Sequence, residues 1–365
     1  MRHLKLIIAV TALLVCATAT ARKQKAPAEK DMGAYLMVYH KDATHGLHAA
    51  ISYDGYTFTA LNNDEPVIAG DTIAMQKGIR DPHIYRGPDG AFYLAMTDLH
   101  VFAQKAGLRA SEWERDESKF GWGNNRALVL MKSYDLINWS RANIRFDTLD
   151  PAFSDIGCVW APATIYDPAK KKLMVFFTMR HGKGKAKIYY SYVNDDYNKV
   201  ETLPQVLFDY PKEGRRMEAI DGDMTYADGT YHLFYRSTDG KTGIKQVTSS
   251  EITGPWVFDE KIYDFEKRGC EGPHVYKLIG QDKWILMYDV YSVKPHNFGF
   301  AETSDFRNFT SLGHFDQGKM KRTNFSEQKH GAVTWLTKAE AERLENYWKK
   351  NQRDFPRKIK IEYGE

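Results

Sequence analysis

The sequence predicts an all-β fold: a five-bladed β-propeller whose last blade is closed by N- and C-terminal segments, with a short C-terminal helix. Three observations carry this. Short runs rich in aromatic and branched residues recur with turn signals between them. Each run keeps the company of a similar opening motif and a similar closing motif. The motifs return at intervals too long for a simple hairpin and right for a radial array.

The middle runs are AYLMVYH at 34, AFYLAMTD at 91, KLMVFFTMR at 172, TYHLFYRST at 230 and WILMYDVYS at 284. The opening motifs are RDPHIY at 80, WAPATIY at 160, IDGDMTY at 220, EGPHVY at 271 and KHGAVTW at 329. The closing stretches end on Phe58, Trp139, Tyr197, Trp256 and Phe309, separated by 81, 58, 59 and 53 residues. Five repeats of about four strands describe a five-bladed propeller. A β-sandwich, or two of them, is the alternative that alternation alone leaves open. The chain begins in a middle run and ends in an opening motif, so KHGAVTW should supply the inner strand of the blade that starts at residue 34. That arrangement leaves no open edge. The segment AEAERLENYWKK from 339 reads as an amphipathic helix outside the ring.

Residues 1–21 combine Arg2 and Lys5 with an apolar run and an A-x-A site at Ala19–Ala21, the pattern of a secretory signal too short to span a membrane. A short linker, 22–31, precedes the propeller at 32–337, and 338–365 forms the helix and tail. Export to a bacterial periplasm is expected, with a lipid anchor through Cys16 as the alternative. Loss of Arg2 and Lys5 lowers the formal net charge from +4 to +2, which gives no basic footprint for nucleic acid. Only Cys158 and Cys270 remain, and they are expected to be free thiols rather than a disulfide or a thiolate metal site. A monomer acting on an oligosaccharide or polysaccharide is expected, with no organic cofactor.

The first strands of propeller blades line the central channel, so the opening motifs bring Asp81, Trp160, Asp221, Glu271 and His330 to one mouth. Asp81 stands three before Ile84 and Asp221 three before Met224, while Glu271 stands four before Val275. Carboxylates held close raise one another's pKa, so one can keep a proton at neutral pH. Hydrolysis of a glycosidic bond with inversion uses such a set: a protonated acid for the leaving oxygen and an ionised base for the water. Loops after the second strands should overhang the site, bringing His40, Asp98, Arg180, His181, Arg236 and Tyr291 into the wall. The loop from Leu99 to Asn125, with Trp113 and Trp122, is expected to narrow the pocket and favour removal of one terminal sugar.

RDPHI, WAPATI, AIDGDM and EGPHVYK, in this order, resemble glycoside hydrolase family 43 over residues 32–337. The resemblance implies an inverting glycosidase with Asp81 as general base, Asp221 as the carboxylate that tunes the acid, and Glu271 as general acid. It implies a sugar-binding wall at Trp160. It also places His330 beside a hydrated cation, commonly calcium, with a metal-free hydrogen-bonded histidine as the other reading. The family's I-D-P is here Ile220-Asp221-Gly222-Asp223, which makes Asp223 a rival for the tuning role. An α-L-arabinofuranosidase is the expected activity, with β-D-xylosidase or β-D-galactofuranosidase as alternatives and a non-catalytic carbohydrate-binding propeller as the alternative of another class. SYDGYTF at 52 is like a shortened sialidase Asp-box but stands alone and is read as a hairpin. Arg180 with Arg236 leaves a phosphorolytic variant open.

Overall fold

The computed structural model describes residues 25–104, 107, 115–212 and 217–353. They form five sheets. Blade one is β4 (Ile79–Arg86), β5 (Phe92–Asp98), β6 (Ala127–Ser133) and β7 (Ser140–Arg145), paired in that order. Blade two is β8 (Ile156–Asp167), β9 (Lys172–His181), β10 (Lys187–Val193) and β11 (Gln205–Phe208). Blade three is β12 (Ala219–Ala227), β13 (Thr230–Ser237), β14 (Gly243–Ser249) and β15 (Val257–Phe258). Blade four is β16 (Glu271–Lys277), β17 (Trp284–Val290), β18 (Asn297–Thr303) and β19 (Thr310–His314).

Blade five joins the two ends of the chain. Its order is β20 (Lys321–Arg322), β3 (Thr57–Ala60), β2 (Leu47–Ser52), β1 (Ala34–His40) and β21 (Lys329–Leu336). The closing pair is antiparallel, running from Ala34 opposite Leu336 to His40 opposite Lys329. The parallel strand β20 on the outer edge has no counterpart in the sequence repeat.

The middle runs are almost continuously apolar because each second strand is sandwiched between two blades. Every residue of β1, β5 and β17 is buried, whereas outer β7 and β19 are largely polar and partly exposed. Hydrophobic cores fill the gaps between neighbouring blades, so the ring is held by side-chain packing from blade to blade rather than by one central core. The axis itself stays polar.

The C-terminal helix, Lys338–Lys350, starts on a capping box between Thr337 and Glu340. Its buried Ala341, Leu344 and Trp348 close the gap between blades five and one. Arg86 donates to both oxygens of Glu340 at 2.8 and 2.7 Å, a two-pronged ion pair from blade one to the helix. Cys158 and Cys270 are buried and unpaired with each other.

Leu336 is fully buried at the end of the closing strand. Leu336→Ala is expected to lower the unfolding free energy by about 2–5 kcal/mol, read as a lower urea midpoint at unchanged slope.

Candidate active site

A strand aims alternate side chains at a given face, yet six of the pocket-lining residues come as neighbouring pairs on the inner strands: Arg80 with Asp81, Ile220 with Asp221, and Lys329 with His330. The reason is a bulge at the same point of each one. The ladder slips between Arg80 and His83, Trp160 and Ala163, Ile220 and Asp223, and Glu271 and His274, and again where β1 meets β21. At each slip one residue takes positive φ: Asp81 (50°), Ala161 (44°), Asp221 (54°), Gly272 (57°) and His330 (31°). A bulge re-aims a side chain, so two consecutive residues reach the mouth. Four of these five carry a Cβ in the left-handed region, strain of about 1–3 kcal/mol each, held in place by the surrounding blade.

This register accounts for the odd offset of Glu271. The position equivalent to Asp81 and Asp221 in blade four is Gly272, and the acid stands one residue earlier. Gly272 is also the only residue type that fits there, since a Cβ would lie 2.6 Å from the His330 ring. Asp81, Asp221, Glu271, Trp160, Arg180, Arg236, Tyr291 and His330 all line one cavity of about 870 Å³.

Asp81 is clamped from three sides. Its N–H donates to His40 Nδ1 (3.1 Å), its Oδ2 accepts from the Thr97 hydroxyl (2.8 Å), and its Oδ1 lies 3.3 Å from His330 Nδ1. The Thr97 hydroxyl in turn accepts the Ala161 N–H at 2.9 Å, which orients its own hydrogen toward Asp81. Burial works to protonate Asp81, but His330, then Arg80 and His40, outweigh it and hold the carboxyl well below the usual carboxylate range. Burial would likewise discharge His330, yet Asp81, Asp221 and Glu271 push it up to about 9. Asp221 receives the Gly272 N–H at 3.4 Å, and its own N–H donates to the Thr178 hydroxyl at 2.8 Å. Burial, with Glu271 and Asp81 adding to it against His330 and Arg236, raises Asp221 to about 6. Arg236 Nη1 approaches Glu271 at 3.7 Å while its Nη2 donates to the Tyr291 hydroxyl at 3.0 Å. The arrangement therefore holds an ionised carboxylate, Asp81, in the same cavity as a raised carboxyl, Asp221.

Across the mouth, Trp160 Nε1 donates to the Gly123 carbonyl (2.8 Å) and the Arg180 guanidinium stacks over its ring at 4.4 Å. Trp122, largely exposed, meets Trp160 edge-on and adds to the rim. Trp113 lies outside the described residues.

Three expected positions need correction. Asp98 does not face the cavity: it is fully buried, and its carboxylate accepts the N–H groups of Met75 and Gln76 at 2.9 and 2.8 Å. His40 lies beneath Asp81 as a support, and His181 turns outward to Asp155 (2.6 Å).

Asp223 sits one layer below the mouth. It takes both His274 Nδ1 (3.0 Å) and His83 Nε2 (3.3 Å) on Oδ1, and the Val275 N–H (2.9 Å) on Oδ2. Burial acts to raise it, but the two imidazoles hold it well below the usual range. These three residues have the clustering of a metal site. Their protons are already placed, however. Thr164 N–H points at His83 Nδ1 (3.3 Å), leaving the ring proton on Nε2 toward Asp223, and His274 Nε2 faces the Val333 carbonyl (3.0 Å). A ligating His83 would need that Nε2 lone pair. At His330 the Nδ1 side is taken up by Asp81 at 3.3 Å, so a cation beside this ring would be met through water rather than by the imidazole itself. No step of the chemistry is routed through a metal.

The match to a family model, the probable glycosyl hydrolase domain related to family 43, spans residues 30–342. The chain belongs to that family. Among solved structures it is similar to an endo-1,4-β-xylanase from Bacteroides thetaiotaomicron, at 15% identity over 80% of this chain and 93% of that one, TM-score 0.53. It is similar to an α-L-arabinanase from Cellvibrio cellulosa at 15% identity, over 80% and 96% of the two chains, TM-score 0.52. A family-43 protein from Bacillus licheniformis matches at 14% identity over 82% of this chain and 55% of its own length, TM-score 0.52. Comparison with curated proteins finds no match. The protein is thus a glycoside hydrolase acting on carbohydrate, on a five-bladed propeller shared with enzymes of several specificities.

The sequence pattern did not single out Thr97, which sits inside an unremarkable apolar run, nor Arg80 and Lys329, which become visible only once the bulge puts pre-bulge residues on the wall. Thr97→Val, nearly isosteric, is expected to lower kcat by about tenfold to a hundredfold, the worth of one hydrogen bond to a charged group, with KM little changed. Thr97→Ser should restore most of it, read by steady-state kinetics on a hydrolysed aryl glycoside. The folded pKa of His330, above its ordinary value, stabilises the protein below about pH 6.5 and loses that contribution as pH rises through about 9. Urea denaturation at about pH 7 and about pH 10 should show the loss, and Asp81→Asn should flatten it.

Proposed function

We propose that the protein is an exo-acting, inverting glycosidase that removes a terminal α-L-arabinofuranosyl unit from a plant-type polysaccharide. The observation that carries this reading is one cavity that gathers Asp81, Asp221 and Glu271 with Trp160, Arg180, Arg236 and Tyr291. Trp122 and Trp160 narrow one side.

In this mechanism Asp81 takes a proton from the attacking water as its oxygen bonds to the anomeric carbon. The glycosidic C–O bond breaks on the opposite face, and the leaving oxygen takes the proton of Glu271. Asp221, one charge away, tunes that proton. Asp81 then returns its proton to solvent and Glu271 is reprotonated, which balances the cycle. Arg236 and Tyr291 hold Glu271 at the rim, and Trp160 with Arg180 forms the sugar-facing wall. Export through a cleaved leader at residues 1–21, and action as a monomer, complete the proposal. β-D-Xylosides and β-D-galactofuranosides are the alternative substrates of the same machinery.

Proton NMR of the protein with an aryl α-L-arabinofuranoside tests this directly. Early β-arabinose is expected. Early α-arabinose would remove the inverting assignment, and inertness toward all three glycosides would favour a carbohydrate-binding propeller. Glu271→Gln should cut kcat by about 10²–10⁴ on substrates with poor leaving groups while ligand binding by calorimetry persists.

A further inference from the structure

Each second strand places one residue opposite the residue that precedes the bulge. Thr97 stands opposite Arg80, Thr178 opposite Trp160, Arg236 opposite Ile220, Asp289 opposite Glu271 and His40 opposite Lys329. Four of these five side chains serve the next blade alike. The Thr97 hydroxyl accepts the Ala161 N–H at 2.9 Å, and the Thr178 hydroxyl accepts the Asp221 N–H at 2.8 Å. His40 Nδ1 accepts the Asp81 N–H at 3.1 Å, and Asp289 Oδ2 accepts the His330 N–H at 3.3 Å. In every case the donor is the positive-φ residue of the following bulge. Blade three is the exception, because Arg236 can only donate. There the Gly272 N–H goes to Asp221 Oδ2 at 3.4 Å, and the guanidinium turns to Glu271 and Tyr291.

The link from Asp289 differs from the others in what depends on it. Its donor carries the imidazole that lies 3.3 Å from Asp81 Oδ1. That ring has little room, since a Cβ on Gly272 would come within 2.6 Å of it. His330 also holds a left-handed backbone, φ 31°, without the freedom of glycine. The anchor on its N–H therefore decides whether the ring meets Asp81. Asp289 is itself fully buried. Burial, reinforced by Glu271 and Asp42 and opposed by Lys329 and His330, raises its carboxyl to about 7. The link does not depend on that proton, since a carboxyl keeps an accepting oxygen in either state.

We propose that Asp289 is a positioning residue of the active site: by accepting the His330 N–H it fixes the bulge that presents the imidazole to Asp81. It stands outside the cavity lining and acts through His330. The inference rests on the reading of Asp81 as the base and adds to that reading a residue hidden in the apolar run WILMYDV.

The test compares Asp289→Asn, which keeps an accepting oxygen and loses the charge, with Asp289→Leu, similar in size but unable to accept. On an aryl glycoside that the wild type hydrolyses, Asp289→Leu should lower kcat by about tenfold to a hundredfold, the worth of one hydrogen bond to a charged group. KM should stay within about twofold, as for a group that does not bind substrate. Asp289→Asn, and Asp289→Thr with the residue type that blades one and two carry here, should keep kcat within about threefold. Proton NMR of the His330 ring gives a readout apart from turnover. Its titration midpoint, raised to about 9 in the wild type, should fall by about one unit more in Asp289→Leu than in Asp289→Asn. Only the leucine lets the ring leave Asp81. Equal kcat in the Asn and Leu variants, or matching ring midpoints, overturns the proposal. If the Leu variant does not fold, an Asn or Thr variant that folds by circular dichroism yet loses kcat by about tenfold or more overturns it as well. Retention of configuration, or inertness of the wild type, would remove the base reading of Asp81 and leave the ring comparison to decide this inference. Inversion with matching ring midpoints would sink this inference alone.

Discussion

A regular strand offers the propeller axis every second side chain; a bulge offers it two in succession, and this mouth is built on that difference. The five inner strands slip at the same point, and the residue at each slip adopts a left-handed backbone. Without the slips, Asp81 and Asp221 would turn into the gaps between blades, where they would be unpaired charges in apolar cores. The ring closure by β1 and β21 matters for the same reason. It carries His330, whose ion pair with Asp81 joins the closing blade to the first one. Catalytic geometry and closure of the ring are one structural problem here.

Hydrogen bonds and charges explain how strained residues can be tolerated at four of the five bulges. Asp81 accepts from Thr97, faces His330 and anchors its N–H on His40, so its conformation is over-determined. Asp221 has a parallel support in Thr178. Each threonine sits on the second strand of one blade and serves an aspartate or a neighbouring bulge on another, which locks adjacent blades in phase. Such a frame leaves Glu271 as the least constrained of the three carboxyl groups. Its partner Arg236 is 3.7 Å away and donates its hydrogen bond to Tyr291 instead. Freedom at Glu271 and rigidity at Asp81 fit the acid and base roles proposed for them, since an acid must follow a departing oxygen and a base must hold a water in line.

Much of the architecture was legible because propeller strands repeat their environment. Middle runs are buried on both faces, so AFYLAMTD and WILMYDV look alike in sequence as in structure. The opening motifs were legible because the bulge needs small or turn-forming residues beside it: Asp-Pro, Ala-Pro, Asp-Gly, Gly-Pro and His-Gly. What could not be read was depth. Asp98 is the last residue of its strand, whereas Arg180 and Arg236 stand one before the end of theirs, and that difference separates a carboxylate spent on backbone N–H groups from a pocket wall. Nor could the two-residue strand β20 be read, because it is made by its parallel partner and not by its own composition.

Asp221 and Asp223 show how far environment outruns residue type. They are the same side chain on the same strand, two residues apart, and both are buried. Asp223 meets two imidazoles and a backbone N–H, which outweigh its burial and keep its carboxyl ionised. Burial, with Glu271 and Asp81 adding to it against His330 and Arg236, raises Asp221, so its proton is held to about pH 6. Asp221 lines the cavity, and Asp223 stands outside its lining, held by His83 and His274. The depth at which histidines enter the channel is what separates the two, and that depth is set by the bulge between them.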